Sequence, residues 1–504
     1  MSQIKKGALL NYINIFLTNV IGLLLTPFII LKLGNSEFGL YTLIGSLVGY
    51  ISVLDLGLNN TIVRFVSKYR ATKDNKGEQN FLATTMLIYI LIAILVIIVG
   101  VICYINIENI FSKSLTPEEI IKAKIMFAIL IFNLAISLPG GSFNGICFGL
   151  EEFVFPKIVN IIRYILRTIM IVAILSIGGK AISMVIIDTL FNIIIIGINA
   201  FYVFKKLKVK FKLHYLDKNL IKEIFGYSLW IFIAALVSQF QWKAGQMVLG
   251  IIANTTVVAV FGVGIMLGTY YGAFSSAISG VFLPRATQMA VGKATGEELT
   301  DMMIKIGRIS FIVLLYILGA FTIYGQQFVL LWVGETYYDS WIIALIIMIA
   351  YTPPLVQAFG QSILEAKNKM SFKVILYLIC IGLGTLLGAY IAKEYGGIGM
   401  IAGSTIGWII GQNILNIYYH KVININILRF FKELAQKTIP VFAIILLIGY
   451  LINMIPGNGW INFFIKAAIY SVIYVLLMYR FGMINYEKEL ITKPINKLFK
   501  KQLL

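Results

Sequence analysis

Charged residues are scarce in this sequence. Asp, Glu, Lys and Arg make up 13% of its 504 residues, which is about half of the share that soluble domains carry. Apolar residues make up 59%, and the mean hydropathy is +0.90. A soluble fold cannot bury this much apolar surface, so the composition excludes one and predicts a chain that is solvated partly by lipid.

Cysteine and histidine are also rare, and their positions favour no metal or redox chemistry. The cysteines lie in apolar runs without a CxxC pair, and the histidines lie in polar, basic segments (Cys103, Cys147 and Cys380; His214 and His420). Isolated cysteines of this kind are typical of small buried side chains. The sequence also lacks a nucleotide-binding P-loop and the GxSxG and HExxH motifs of hydrolases. We therefore expect no catalytic residue, no metal site and no cofactor, and the sequence does not predict an enzyme.

Uncharged apolar runs, in contrast, recur along the whole chain. Residues 8–31 contain no charged side chain. They are long enough to cross ~30 Å of hydrocarbon, and no small-residue cleavage site of a signal peptide follows them. About fourteen runs of spanning length are present in all, at residues 8–31, 38–58, 81–105, 125–148, 158–177, 181–204, 224–250, 256–283, 307–324, 340–363, 372–391, 397–419, 437–455 and 460–479. The predicted fold class is an all-α polytopic membrane protein.

Basic residues are distributed unevenly between the loops on the two sides. With the N-terminus in the cytoplasm, the cytoplasmic segments hold 32 of the 42 Lys and Arg residues. The external loops hold four, at Lys32, Lys113, Lys180 and Lys393. Cytoplasmic loops of membrane proteins carry such an excess of positive charge, so both ends of the chain are predicted to be cytoplasmic. The same asymmetry explains the net charge of +20 without a nucleic-acid partner.

The two halves of the chain share features at a constant displacement of about 220 residues. Arg64 falls near Arg285, and Gly77-Glu78 falls on Gly296-Glu297. Displacement by six helices preserves orientation in the membrane. The repeat therefore predicts two parallel six-helix lobes, followed by an extra helix pair with a cytoplasmic tail (1–222, 223–432 and 433–504). Two such lobes are typical of a carrier whose central cavity opens to one face at a time.

Charged and polar side chains inside the predicted spans are the candidate functional residues. A Lys, Arg or Asp near a helix centre costs about 2.5–3.5 kcal/mol, so each needs a partner, a wet cavity or a function. Arginine binds phosphate through paired, charge-assisted hydrogen bonds. The sequence therefore predicts a cationic cavity for an anionic headgroup, with carboxylates for ion coupling. The predicted substrate-binding residues are Arg64, Arg163, Arg167, Gln239, Lys243 and Arg285, and the predicted ion-coupling residues are Asp55 and Asp188.

Several of these residues also have a structural interpretation. Arg167 and Asp188 lie at about equal distances from the turn at Gly178-Gly179, so they either neutralise each other or line the cavity. Arg64 and Arg285 either bind substrate or anchor the cytoplasmic ends of their helices.

Asp55, Lys243 and Lys466 are further charges within the predicted spans. Asp55 is within reach of a cap or a local pair with Arg64. Lys243 has no partner in its own hairpin, which favours a position facing the lumen. Lys466, in the extra helix pair, is expected to extend outward to the interface.

The first two predicted helices carry a recognisable pattern. An apolar helix ends in Pro27 and Leu33-Gly34, Glu37-Phe38-Gly39-Leu40-Tyr41 follows, and Asp55-Leu56-Gly57-Leu58 and Arg64-Phe65 close the pattern. This region resembles the N-terminal signature of Wzx-type polysaccharide and O-antigen flippases. They form part of the polysaccharide transporter branch of the multidrug/oligosaccharidyl-lipid/polysaccharide exporter superfamily. The span count and the twofold lobes extend the resemblance over nearly the whole chain.

The resemblance implies a function and a set of partners. Flippases of this type move polyprenyl-diphosphate-linked oligosaccharides across the cytoplasmic (inner) membrane by alternating access, for the synthesis of capsule or of O-antigen lipopolysaccharide. The implied partners are the lipid-linked oligosaccharide, membrane lipids, and the polysaccharide polymerase and glycosyltransferases of the pathway. Among charged positions of related flippases, Asp55, Arg64, Lys243 and Arg285 carry over to this chain. Its first helix has no internal charge, which argues against the peptidoglycan-precursor flippases.

Two other functions compete with this one. A cation-coupled multidrug antiporter has the same superfold, but it needs an acidic pocket, and here buried cations outnumber buried acids. A membrane polysaccharide polymerase handles the same glycans, but it carries a large external loop. The longest external loop here, 106–124, is short.

Overall fold

The computed structural model describes residues 3–292, 294–367, 369–490 and 492–493, with side chains described except at 4, 5, 8, 227, 276–286 and 290–291. Over this part of the chain the regular structure is helical throughout. The helices are α1 (Gln3–Leu33), α2 (Asn35–Ser52), α3 (Leu58–Thr72), α4 (Asn75–Phe111), α5 (Pro117–Gly149), α6 (Val154–Ser176), α7 (Ala181–Phe201), α8 (Lys218–Ile252), α9 (Thr255–Val291), α10 (Gly296–Val333), α11 (Tyr338–Val356), α12 (Ala358–Ala366), α13 (Met370–Ile423), α14 (Ile427–Asn453) and α15 (Trp460–Leu477).

The number of membrane crossings agrees with the prediction. Within the described residues, 13 helical segments are long and apolar enough to cross a membrane, with α2 and α3 taken together as one. The longest, α13, has 54 residues and contains Gly396, whose φ of 53° and ψ of −134° are not helical. Two crossings therefore meet at Gly396, and the described residues make fourteen crossings. The all-α polytopic fold class is confirmed.

Polar caps fix the starts of two long spans. Thr116 precedes α5 and Thr295 precedes α10, and each threonine side chain accepts a hydrogen bond from the backbone N–H of a glutamate three residues later. The glutamates, Glu119 and Glu298, accept in return from the threonine N–H. These capping boxes satisfy N–H groups that a helix start leaves without a partner. Because lipid offers these N–H groups no hydrogen-bond acceptor, the caps define where a span can begin.

The second crossing is broken at the motif Asp55-Leu56-Gly57. A 3-10 turn follows α2, and Leu56 and Gly57 then adopt left-handed conformations, with φ of 54° and 67°, before α3 begins. Gly57 is required for a second reason, since a Cβ there would collide with the side chain of Ile231 on α8. Non-helical backbone at membrane depth is tolerated only inside protein or beside a wet cavity. The signature motif therefore encodes the break in the second crossing.

The first of two compact units comprises Met1–Gly262 and Thr385–Met400. In this unit α5 packs against α3, α4 and α7, and α2 packs against α8. Aromatic side chains fill part of the interior, and the rings of Phe65 and Phe81 stack with their centroids 4.8 Å apart. This unit contains α8, so it extends beyond the first six crossings.

The second unit comprises Val263–Gly384 and Ile401–Leu504. In this unit α10 packs against α11, α14 and α15. Gly449 on α14 leaves room for the ring of Tyr470, since a Cβ there would lie 3.2 Å from a ring carbon. The repeat predicts lobes at 1–222, 223–432 and 433–504. These lobes describe a duplication of sequence rather than the packing of helices, and they stay a prediction.

The Lys466 side chain extends to the end of the neighbouring span, α14, where it is 5% exposed. Its Nζ donates to the backbone oxygen of Asn453 at 3.1 Å. Asn453 ends α14, and the last carbonyls of a helix have no partner within it and attract cations. The lysine is therefore stabilised by a neighbouring helix end.

A buried ion pair connects the end of the described chain to α10. Arg308 and Glu487 are both 3% exposed, and Nε of Arg308 donates to Oε1 of Glu487 at 2.5 Å. The other guanidinium donors bond to the backbone oxygens of Glu433, at 2.6 Å, and Gly482, at 2.9 Å. One side chain thereby holds together α10, α14 and the segment that follows α15.

We expect Glu487→Ala to lower the free energy of unfolding by about 3–5 kcal/mol, because it leaves a buried guanidinium without its counter-charge. Thermal unfolding of the purified protein in detergent measures this change. The matched control is Glu489→Ala. Glu489 pairs with Lys493 at the surface, with side chains 55% and 72% exposed, and such pairs contribute about 0–1 kcal/mol. Equal losses in the two variants would contradict the anchoring role of Arg308 and Glu487.

Candidate functional site

The hairpin of α6 and α7 places two of the predicted residues in contact. The helices turn at Gly178, whose φ of 94° favours glycine. Arg167 on α6 donates through Nε and Nη2 to the two carboxylate oxygens of Asp188 on α7, and the Nη2 bond is 2.9 Å long. Fork-shaped pairs of this kind are among the strongest ion pairs in proteins. The structure therefore contains the mutually neutralising arrangement of Arg167 and Asp188.

Tyr41 of α2 lies against this pair. Its hydroxyl is beside both Arg167 and Asp188, whose side chains are 17% and 22% exposed. Sequence reasoning did not select Tyr41, although it belongs to the recognised pattern. No local signal distinguishes it, because its neighbours depend on how α2 packs against α7.

Arg163 lies one turn before Arg167 on α6. Its guanidinium is partly buried and close to Arg167 and Asp188. It makes no ion pair with any described residue. This cluster therefore holds two arginines and one carboxylate, and it carries one uncompensated positive charge.

A second group of predicted residues lies on one face of α8. Gln239, Lys243 and Gln246 are spaced by four and three residues, so they share that face. It packs against α2, since a Cβ on Gly49 would lie 3.1 Å from Oε1 of Gln239 and 3.8 Å from Cγ of Lys243. Oε1 of Gln239 and Oε1 of Gln246 are buried without a hydrogen-bond partner among the described residues. Gln246 was not predicted as a site residue, although its spacing from Lys243 placed it on the same face.

Lys243 is a partly buried cation on this face. No described residue forms an ion pair or a hydrogen bond with it. Gly49 lies against its side chain, and Gln239 and Gln246 share its helix face; none of the three carries a compensating charge. Lys243 is therefore a charge within a spanning helix that the described protein leaves uncompensated.

The other predicted residues have different surroundings. The Asp55 carboxylate lies beside the Gly57 N–H and the buried Tyr89 hydroxyl, so Tyr89 rather than Arg64 is its side-chain neighbour. Arg64 is exposed on α3, with its guanidinium 6.0 Å from the ring centroid of Phe65. Arg285 falls within α9, and its side chain is outside the described residues.

Hydrogen bonds join α2, α5 and α9 at one end of the first unit. The distribution of basic residues assigns this end to the external side. Ser36 at the start of α2 donates to Glu119 at 2.5 Å. Thr255 at the start of α9 donates to the same carboxylate at 2.9 Å. A Cβ on Gly39 would collide with the backbone oxygen of Thr255, so the backbones are in close contact. This end of the first unit is closed by direct packing.

We expect Asp188→Ala to lower the free energy of unfolding by about 3–5 kcal/mol, because Arg167 then stays in a spanning helix without its partner. Removing both charges, with Arg167→Met and Asp188→Leu together, should recover most of that loss. Unfolding of the two single variants and the double variant in detergent gives the coupling free energy. A double variant as unstable as Asp188→Ala would show that the pair is not structural.

The contact of Gly49 with Gln239 and Lys243 predicts a difference between two glycines on α2. Gly49→Leu forces both side chains away and should lower the free energy of unfolding by about 1–3 kcal/mol. The matched control is Gly45→Leu, because a Cβ at Gly45 meets no atom within 4 Å. The control should stay within about 0.5 kcal/mol of the wild type in the same unfolding measurement. Equal effects would mean that α8 does not pack on α2 at Gly49.

Comparisons with known proteins agree with this architecture. Residues 4–290, more than half of the chain, match the family model described as polysaccharide biosynthesis protein. A Shigella flexneri protein named as an O-antigen transporter is 21% identical over 417 residues, which cover 81% of this chain and 94% of that protein.

Solved structures share the fold. The lipid II flippase MurJ in an inward closed conformation matches with a TM-score of 0.70 and 17% identity, over 95% of this chain and 99% of that one. An inward-facing multidrug resistance transporter of the MATE family matches with a TM-score of 0.60 and 14% identity, over 80% of this chain and 95% of that one. The resemblance to Wzx-type polysaccharide flippases is thus confirmed at the level of the family. The chain belongs to the polysaccharide biosynthesis protein family, as a multi-pass protein of the cytoplasmic (inner) membrane.

Proposed function

We propose that this protein moves a polyprenyl-diphosphate-linked oligosaccharide from the inner to the outer face of the cytoplasmic membrane, by alternating access, for the synthesis of a cell-surface polysaccharide. The observation that carries the proposal is Lys243, a partly buried cation in a spanning helix with no partner among the described residues. Such a charge costs about 2.5–3.5 kcal/mol. An anionic ligand that binds there offsets this cost.

The charge of the α6–α7 cluster supports the same class of ligand. Arg167 is held by Asp188, so Arg163 is the member of the cluster that is available to a ligand. A diphosphate is a multiply charged anion, and guanidinium groups bind its oxygens through paired hydrogen bonds. In this proposal Lys243 and Arg163 attract the diphosphate, and Arg167 orients the cluster without contacting the cargo.

The glycan needs polar partners that carry no charge. Gln239 and Gln246 flank Lys243 on α8, and each has a buried amide oxygen without a hydrogen-bond partner among the described residues. Side-chain amides both donate hydrogen bonds to sugar hydroxyls and accept hydrogen bonds from them. These glutamines are therefore proposed to bind the sugars next to the diphosphate.

Ion coupling is proposed at Asp55. Asp188 is the other predicted carboxylate, but Arg167 already occupies both of its oxygens. Asp55 lies at the break in the second crossing, beside Tyr89 and the left-handed Gly57. A carboxylate that gains or loses a cation at such a break can change how α2 and α3 are joined. We therefore propose that a proton or a sodium ion at Asp55 drives the change of access.

A multidrug antiporter is the second candidate function, because the MATE-family transporter has the same fold. A carrier for organic cations requires a free carboxylate to attract them. In the described spans of the first unit, the carboxylate without an ion pair is Asp55, and it is outnumbered by the uncompensated cations Lys243 and Arg163. The flippase is therefore favoured over the antiporter, and as a carrier it needs no catalytic residue.

We expect Lys243→Glu to abolish surface polysaccharide, because reversing the charge beside a bound diphosphate removes about 2–5 kcal/mol of binding free energy or more. Lys243→Arg keeps the charge and should keep most of the polymer. The measurement is surface polysaccharide in cells that depend on the variant, with the membrane level of each variant determined by immunoblot. The matched control is Lys206→Glu, an exposed lysine at the cytoplasmic end of α7.

The location of the intermediate separates the candidate functions. In cells that carry Lys243→Glu, a flippase defect leaves the lipid-linked oligosaccharide on the cytoplasmic leaflet. An unpolymerised glycan on the outer leaflet would instead indicate a polymerase. Normal polymer together with a new sensitivity to cationic drugs would indicate an antiporter, and it would contradict the proposal.

A further inference from the structure

A cavity of about 440 Å³ lies beside the first turns of α14 in the second unit. Its wall includes four basic side chains, one carboxylate and one amide, from Arg308, Arg429, Lys432, Lys437, Glu433 and Gln436. Arg308 is buried, whereas Lys432 and Lys437 are exposed at the opening. The residues proposed for transport all lie in other helices, so this cavity is a separate feature.

Two of the four positive charges are already compensated. Arg308 pairs with Glu487 at 2.5 Å. Arg429 pairs with Glu433 and Asp301, at 2.7 Å each, and with Glu297 at 3.8 Å. Lys432 and Lys437 form no ion pair or hydrogen bond with any described residue. In the cavity, Arg308 is therefore neutralised and Arg429 faces three carboxylates, whereas Lys432 and Lys437 at the opening are two positive charges without a partner among the described residues.

The position of the cavity along α14 is at the boundary of the hydrocarbon. Residues 438–453 of α14 contain no charged side chain and extend over about 24 Å at 1.5 Å per residue. Lys437 is the last charged residue before this stretch, and the distribution of basic residues assigns that end to the cytoplasmic side. The opening of the cavity thus lies at the depth of the cytoplasmic lipid headgroups.

We propose that this cavity binds the phosphate headgroup of an anionic phospholipid of the cytoplasmic leaflet. Lys432 and Lys437 bind the phosphate oxygens, and the Gln436 amide donates a further hydrogen bond. The acyl chains lie along the uncharged part of α14. Since Ile484 also lines the cavity, the bound lipid connects α14 to the segment after α15 that Arg308 and Glu487 anchor. The site does not depend on the proposed transport function.

The test is thermal unfolding of the full-length protein in detergent, with phosphatidylglycerol or phosphatidylcholine added. A ligand that binds only the folded state raises the unfolding temperature. Phosphatidylglycerol should raise it and phosphatidylcholine should not. Each lysine near the membrane surface contributes roughly 1 kcal/mol of binding free energy, and about 1.4 kcal/mol corresponds to a tenfold change in affinity. The double variant Lys432→Ala/Lys437→Ala should therefore need about 30-fold more phosphatidylglycerol for half-saturation.

Two variants serve as controls. Lys432→Arg/Lys437→Arg keeps both charges and should respond like the wild type, which excludes a general effect of substitution in α14. Lys205→Ala/Lys206→Ala removes two lysines at the cytoplasmic end of α7 and should keep the wild-type response. A response to phosphatidylglycerol that is unchanged in Lys432→Ala/Lys437→Ala would overturn the proposal. If inorganic phosphate alone raised the unfolding temperature of the wild type by the same amount, the proposal that a lipid occupies the cavity would be overturned.

Discussion

Hydrocarbon offers no hydrogen-bond partner and no counter-charge, and the arrangement of polar groups in this protein depends on that constraint. A charge near the middle of a span costs about 2.5–3.5 kcal/mol. Arg167 meets Asp188 on the adjacent helix, and Lys466 meets the carbonyl that ends α14. Lys243 is compensated by no described residue. These three cations differ in whether the protein supplies a partner. That difference, and not the presence of charge alone, distinguishes structural cations from a candidate ligand-binding cation.

The same constraint governs the backbone. Breaks in the helices occur where side chains or neighbouring helices can take up the freed groups. The second crossing breaks at Leu56 and Gly57, where Asp55 lies beside the Gly57 N–H. The tenth crossing is interrupted at Gln357, three residues after Pro354, and the Gln357 side-chain amide donates to Asn416 at 2.9 Å. Each break thus has a polar side chain beside it, and such positions are where a carrier can bend without leaving backbone groups unsatisfied.

Positive charge is proposed to serve two different purposes in the two units. In the first unit, Lys243 and Arg163 lie within spans and are proposed to receive a diphosphate during transport. In the second unit, Lys432 and Lys437 lie at the headgroup boundary and are proposed to hold a phospholipid. Both proposed sites would recognise phosphate, but the first would have to release its ligand on the opposite side. The second is held in place by the buried pair of Arg308 and Glu487, which joins α10, α14 and the tail segment.

The sequence by itself determined the fourteen crossings, their orientation and the family. Hydropathy and charge asymmetry are properties of single segments, so they can be read without knowing which helices touch. The recognised pattern also placed a motif at the break in the second crossing, although not its geometry. Tertiary structure alone decided which charges are paired. Arg308 and Glu487 are separated by 179 residues, and Tyr41 reaches Asp188 only because α2 packs against α7. Ion pairing inside a membrane depends on such distant contacts. The sequence predicted that Lys243 faces the lumen, but only the structure shows that no described residue pairs with it.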